Sequence, residues 1–186
     1  MQVYRIIFRI LIVFVSLIPL SGFGQTDSVI VVPPVKDSTL VVDTIPKKNS
    51  EQVDQIINFA KKYLGTPYRY GGTTPSGFDC SGFINYIFGN FGFSLTRTSY
   101  GLAEFGRNVK IADARAGDLI FFKGSSVSST QVGHVGMVIE VGPGVLKFIH
   151  SANGGVQITN FIGSRYYVPR FVKLKRLDYG EESTTE

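Results

Sequence analysis

With a single cysteine, Cys80, in 186 residues, this sequence can form no internal disulfide. It has only two histidines, His134 and His150, and one thiol with two imidazoles lacks the closely spaced Cys or His pairs of common zinc sites. A disulfide scaffold and a structural zinc site are therefore both disfavoured, and the sequence calls for no cofactor and no metal. Charge is also scarce, at 18% of residues with a formal net charge of +5. The densest basic stretch is Lys173-Leu174-Lys175-Arg176, which argues against nucleic acid as a partner. That stretch suits either an anionic surface such as a cell wall or a solvated terminal strand. No internal repeat is visible, and 44% hydrophobic content over this length fits one globular domain with appendages, expected to act as a monomer.

Residues 1–24 read as a secretory signal. Arg5 and Arg9 form a basic start, Ile10 to Leu20 an apolar stretch, and Gly22-Phe23-Gly24 supplies small residues at a cleavage point after Gly24. As a helix that stretch reaches only about 17 Å, short of the ~30 Å hydrocarbon core. An uncleaved anchor extended through Ile6 to Phe8 is the rival reading, and would be the chain's only membrane contact. A lipoprotein signal would need a cysteine at the cleavage point, and none is there. Export to the periplasm or cell envelope follows. Residues 25–48, with Val31-Val32-Pro33-Pro34 and scattered Asp, Ser and Thr, suit an extended linker, or an edge strand over Val29 to Val32. The domain is expected over 49–174 and a flexible tail over 175–186, polar and acidic from Tyr179.

Within the domain, Asn49 or Ser50 can cap a first helix that carries Glu51 and Asp54 in its first turn. This helix would bury Val53, Ile56, Ile57, Ala60 and Leu64 and end at Gly65 and Pro67. A second helix is predicted from Cys80 to Phe88 or Phe91, burying Phe83, Ile84, Ile87 and Phe88, and a short third near Ser99 to Phe105. Strands follow at Leu119–Lys123, Val132–Val141, Val145–His150, Val156–Phe161 and Val168–Leu174. Helices followed by a meander of strands give an α+β fold with an antiparallel sheet.

Asp79 sits where a helix N-cap belongs, so Cys80 would open the second helix at the positive end of its dipole. That position, and a nearby imidazolium, would lower the thiol pKa. Free N–H groups from Cys80 onward would face a developing oxyanion. An isolated cysteine is otherwise a small buried hydrophobe. A turn at Gly142-Pro143-Gly144 would set His134 opposite residue 152, two places from His150, with both imidazoles on one face unless a bulge intervenes. His134 could then act as general base toward Cys80, with His150 orienting it. Taken singly, either histidine could be structural.

Pro67-Tyr68-Arg69-Tyr70-Gly71-Gly72, Phe78-Asp79-Cys80-Ser81-Gly82-Phe83, Leu95-Thr96-Arg97-Thr98-Ser99, Ala116-Gly117-Asp118-Leu119-Ile120-Phe121-Phe122, Gly133-His134-Val135-Gly136-Met137 and Phe148-Ile149-His150-Ser151-Ala152 resemble, in order, motifs of the NlpC/P60 family. The resemblance implies a papain-like fold, N-terminal helices packed on an antiparallel sheet, and cleavage of peptidoglycan stem peptides or muropeptides between γ-D-glutamyl and a diamino acid. It implies a Cys80–His134–His150 triad, with Tyr68 assisting the oxyanion. Asp79 and Ser81 would hold the amino end of the stem peptide, and Arg97 and Ser99 would shape the pocket. Asp79 is equally readable as a cap alone, and Arg97 as a surface ion pair. Tyr70 stands where the family often has Trp. A papain-like amidase or acyl hydrolase acting on another amide or ester would use the same residues, and a noncatalytic binding module is a further reading.

Overall fold

The fold, seen in a computed structural model, is described for residues 47–179. The expected signal segment and the linker up to residue 46 lie outside the described residues. Helix α1 spans Lys47–Lys61, so the domain starts ahead of Asn49. Lysine is a good helix former, and Asn49 and Ser50 sit inside the helix and do not cap it. Ile56, Ile57 and Ala60 are buried, whereas Leu64 lies past the helix end and is 47% exposed, contrary to expectation. Gly65 adopts φ +84, and its N–H donates to the Val156 carbonyl at 2.8 Å, fastening the helix end to the sheet.

The loop that follows forms a small hairpin, β1 Thr73–Thr74 and β2 Gly77–Phe78, before α2 at Cys80–Gly89 and α3 at Ser99–Leu102. The remaining strands are β3 Arg107–Val109, β4 Leu119–Lys123, β5 Val132–Gly142, β6 Val145–Ala152, β7 Gly155–Asn160 and β8 Phe171–Arg176. They form one antiparallel sheet in the order β3-β8-β4-β5-β6-β7. The strand expected from Val168 begins at Phe171, because Val168–Arg170 is a 3-10 turn with proline at its start, where the missing N–H costs no ladder bond.

Both faces of the sheet are covered. The helices supply Ile56, Phe83, Ile84, Ile87, Phe88 and Leu102 against Leu119, Phe121, Val135, Met137 and Ile149. On the other face Ile120, Phe122, Val138, Phe148 and Leu174 pack with Phe161, Tyr167 and Phe171. Burial on two sides explains why β4 is a continuous apolar run and does not alternate.

The tail expected to be flexible from residue 175 is ordered for longer. Lys175 and Arg176 belong to β8, Leu177 is buried, and the Tyr179 hydroxyl donates to the Gly117 carbonyl at 2.5 Å. Arg176 grips fully buried Asp118 through Nε to Oδ1 at 2.7 Å and Nη2 to Oδ2 at 2.9 Å, joining the last strand to the start of β4.

Candidate active site

Cys80 is the first residue of α2. Asp79 caps the helix from an extended conformation, φ −86 and ψ 178, its Oδ1 accepting from the Gly82 N–H at 2.6 Å. Gly82 is required here, since a Cβ at that position would lie 2.0 Å from the Gly72 carbonyl oxygen. Packing α2 against the sheet buries Cys80. The backbone N–H groups of Val135 on β5 and of Ser81 favour the thiolate, but burial outweighs them, and the Asp79 carboxylate adds to it. The thiol is therefore pushed above its ordinary pKa, the reverse of what the helix terminus alone predicts.

The residue preceding Val135 is His134. Near the turn, β5 and β6 pair as Gly142↔Val145 and Glu140↔Lys147, but past a bulge at Ile139 the pairs become Val138↔Phe148 and Met137↔Ile149. The bulge decides the site. In unbroken register from Gly142↔Val145, His134 would oppose Asn153, and His150 would oppose Met137 on the helix-covered face. The extra residue restores the register in which His134 falls opposite residue 152 and shares a face with His150. His134 Nε2 and His150 Nδ1 are 3.0 Å apart, with the rings edge to face at 88°. Gly136 lies between them, and a Cβ there would come within 2.7 Å of Phe148 and 3.1 Å of the His150 Cβ. His150 Nε2 lies 3.0 Å from Thr159 Oγ1 on β7. Tyr167 stacks on His134 with centroids 6.0 Å apart and presents its edge to His150 at 5.3 Å.

Enclosure depresses both imidazoles. Burial draws His134 down to about 4, and burial with the neighbouring His134 draws His150 down to about 3. Both are neutral at pH 7, so no imidazolium lowers the thiol.

Asp79, Ser81 and Arg97 form one cluster. Arg97 donates through Nη1 to Asp79 Oδ1 at 3.1 Å and to Ser81 Oγ at 2.9 Å, and through Nη2 to Asp79 Oδ2 at 2.5 Å. Ser81 Oγ donates to Asp79 Oδ1 at 3.2 Å. The Asp79 carboxyl is lowered although burial, its largest single influence, opposes this; the Arg97 guanidinium and the Gly82 N–H prevail. Tyr68 stands across from this cluster. Burial, then the Cys80 and Asp79 charges, raise its phenol, which stays a hydrogen-bond donor at neutral pH. Ser99 is buried at the start of α3 and makes no side-chain hydrogen bond to the cluster among the described residues.

Beside His134 a cleft of about 420 Å³ opens, lined by Tyr68, Lys123, Asn153, Gln157 and Tyr166 among others and by no carboxylate. A larger cavity, about 530 Å³, lies between the start of α1 and the end of β8 and contains none of the predicted site residues. Of the predicted site residues, the smaller cleft contains Tyr68 and His134. Sequence reasoning missed the Val135 N–H, Thr159 and Tyr167. It also missed Ser151, whose buried hydroxyl donates to the Phe78 carbonyl at 2.8 Å. Thr159 had a legible signal, a hydroxyl at alternate spacing along the strand after His150; the others depend on tertiary packing.

A helix opened by the cysteine thus packs on an antiparallel sheet whose neighbouring strands carry two hydrogen-bonded imidazoles. The chain belongs to the NlpC/P60 family, whose sequence pattern matches residues 65–176. It is 40% identical over 128 residues to the probable peptidoglycan endopeptidase LytE of Bacillus subtilis (strain 168), covering 68% of this chain and 35% of that protein. It is 30% identical over 131 residues to the murein DD-endopeptidase MepS/murein LD-carboxypeptidase of Escherichia coli (strain K12), covering 70% of this chain and 65% of that protein. Among solved structures, an NlpC/P60 family protein from Bacillus cereus ATCC 10987 superposes with a TM-score of 0.59 at 34% identity, covering 67% of this chain and 39% of that one. The chain thus spans about a third of the length of LytE.

Proposed function

We propose that this chain is an exported cysteine peptidase of the periplasm or cell envelope. Acting as a monomer, it would hydrolyse peptidoglycan stem peptides at the bond between γ-D-glutamyl and a diamino acid, through Cys80, His134 and His150. The observation that carries the reading is Cys80 opening α2 behind its Asp79 cap, in a chain whose sheet holds His134 Nε2 3.0 Å from His150 Nδ1. Similarity to LytE and MepS supplies the substrate class.

His134 Nε2 faces His150, so Nδ1 is the nitrogen left to receive the thiol proton. Because the thiol is raised and the imidazole lowered, proton transfer accompanies attack and does not precede it. Sulfur bonds to the scissile carbonyl carbon, the carbonyl π pair moves onto oxygen, and the Cys80 N–H and Tyr68 hydroxyl stabilise that oxyanion. Collapse expels the amine, which takes the proton from His134 Nδ1 and leaves a thioester on Cys80. Water, giving a proton to His134, attacks the thioester and releases the carboxylic acid and the thiol.

Asp79 and Ser81 receive the amino end of the stem peptide, with Arg97 and Ser99 shaping that end of the pocket. Among the described residues Asp79 Oδ2 accepts from Arg97 alone, leaving a lone pair for an ammonium. On the leaving side, the Lys123 ammonium and the absence of any lining carboxylate suit an amino acid that carries its own carboxylate. Purified protein incubated with muropeptides should release shortened stem fragments by mass spectrometry and leave lipid esters intact. A Cys80→Ala variant that cleaves as fast as the parent would refute the reading.

A further inference from the structure

We propose that Thr159 is a positioning residue that sets the proton arrangement of both histidines, acting through His150; this rests on the mechanism above. The structure presents a continuous line of side chains on one sheet face: His134 on β5, His150 on β6 and Thr159 on β7. Phe148↔Thr159 and His150↔Gln157 are the strand pairs, so Thr159 stands diagonal to His150. Its Oγ1 lies 3.0 Å from Nε2, and His150 Nδ1 lies 3.0 Å from His134 Nε2.

Each neutral imidazole carries one ring proton, and two hydrogen bonds in series leave two consistent arrangements. In the first, His134 Nε2–H donates to His150 Nδ1, and His150 Nε2–H donates to Thr159 Oγ1, which leaves His134 Nδ1 bare and able to take the Cys80 proton. In the second, every bond is reversed: Thr159 donates to His150 Nε2, His150 Nδ1–H donates to His134 Nε2, and the one proton of His134 sits on Nδ1. The second arrangement blocks the base. His150 is fully buried, so a proton on its Nε2 has no bulk water to meet and needs an acceptor built into the protein. Thr159, a residue only partly buried, supplies that acceptor through its Oγ1. The threonine thereby selects the proton order of a base two side chains away, without touching substrate.

The test uses the full chain labelled with 15N, observed through imidazole nitrogen shifts at pH 7. With two histidines in the sequence, assignment is direct. The expected result is protonation at Nε2 and a bare Nδ1 on both rings. Thr159→Val keeps the shape and removes the acceptor, and should move protons onto Nδ1 of both rings. It should lower kcat on muropeptides by about tenfold, the equivalent of one lost hydrogen bond, with KM unchanged. Thr159→Ser should restore both readings, which a merely structural methyl contact would not allow. A wild-type His150 protonated at Nδ1 overturns the proposal without any variant having to fold. So does a folded Thr159→Val protein with unaltered shifts and kcat. If Cys80 proves dispensable for cleavage, the mechanism fails while the nitrogen shifts still decide the role of Thr159.

Discussion

The Ser151 hydroxyl donates to the Phe78 carbonyl at 2.8 Å, with both residues buried. It ties the strand that carries His150 to the chain just ahead of Asp79 and Cys80, so one bond spans the two halves of the site. Ser151→Ala removes one of two bonds to that carbonyl, the Arg69 N–H at 3.0 Å remaining, which costs about 0.5–1.5 kcal/mol. The expected outcome is a lower melting temperature with a larger fall in kcat than in substrate affinity, read by thermal melts and steady-state kinetics. A melting temperature and kcat equal to wild type would show that the halves hold their register without this bond.

The perturbed groups set two pH windows. Both histidines are lowered, so the unfolded chain takes up protons below about 6.5 while the native site resists until about 4 and 3. Stability contributed by the neutral pair is complete above the unfolded value and is lost as pH falls through that interval. The melting temperature should fall between pH 6.5 and 4, and His150→Gln should flatten the fall. The thiol has the opposite sense. Raised by burial, it should alkylate slowly with iodoacetamide at pH 7 and faster as pH climbs past its ordinary range. A pH-independent rate down to pH 5 would show a preformed thiolate and contradict the resting state described here.

The contrast between α2 and the histidine pair shows what local sequence carries. Asp79 before an apolar repeat at Phe83, Ile84, Ile87 and Phe88 is a local pattern, and α2 starts and caps as that pattern dictates. The run Leu119–Lys123 announced its strand the same way. The side-by-side histidines depend on a bulge at Ile139 for which no residue there gives a signal, since isoleucine is an ordinary strand residue. β3, a short polar strand at Arg107–Val109, pairs with β8 across the length of the domain, and no short window contains both partners. The direction of the Cys80 shift is not legible in the sequence for a related reason. A helix terminus is a local feature, whereas burial comes from α2 packing onto β5.

Capping and charge can be separated at Asp79. The Arg97 side chain is 42% exposed, so its ion pair adds little to stability, while the cap on Gly82 contributes about 1 kcal/mol. Asp79→Asn retains an oxygen for Gly82 and removes the charge; Asp79→Ala removes both. Asp79→Asn should melt near wild type yet raise KM for stem peptides with a free amino end, with no rise for N-acetylated ones. Asp79→Ala should do both kinds of damage. Equal KM changes for free and acetylated substrates would rule out ammonium recognition by Asp79 and leave the residue a cap.

Lys123 offers the matching experiment on the leaving side. Its ammonium donates to the Val127 carbonyl at 2.8 Å, which holds it at the edge of the cleft that contains His134, whose lining includes no carboxylate. An ammonium has three donors, so one bond to the loop leaves two for a ligand. Lys123→Met keeps the aliphatic stem and removes the charge. KM for peptides whose diamino acid bears a free carboxylate should rise about fivefold to tenfold, the scale of one partly exposed charged contact, and KM for the amidated peptides should stay as it is. Salt should mimic the substitution for the acidic substrates alone, because screening acts on the same attraction. If the variant and the parent discriminate equally between carboxylate and amide, the preference is set elsewhere in the cleft, with the Asn153 and Gln157 amides the next groups to exchange.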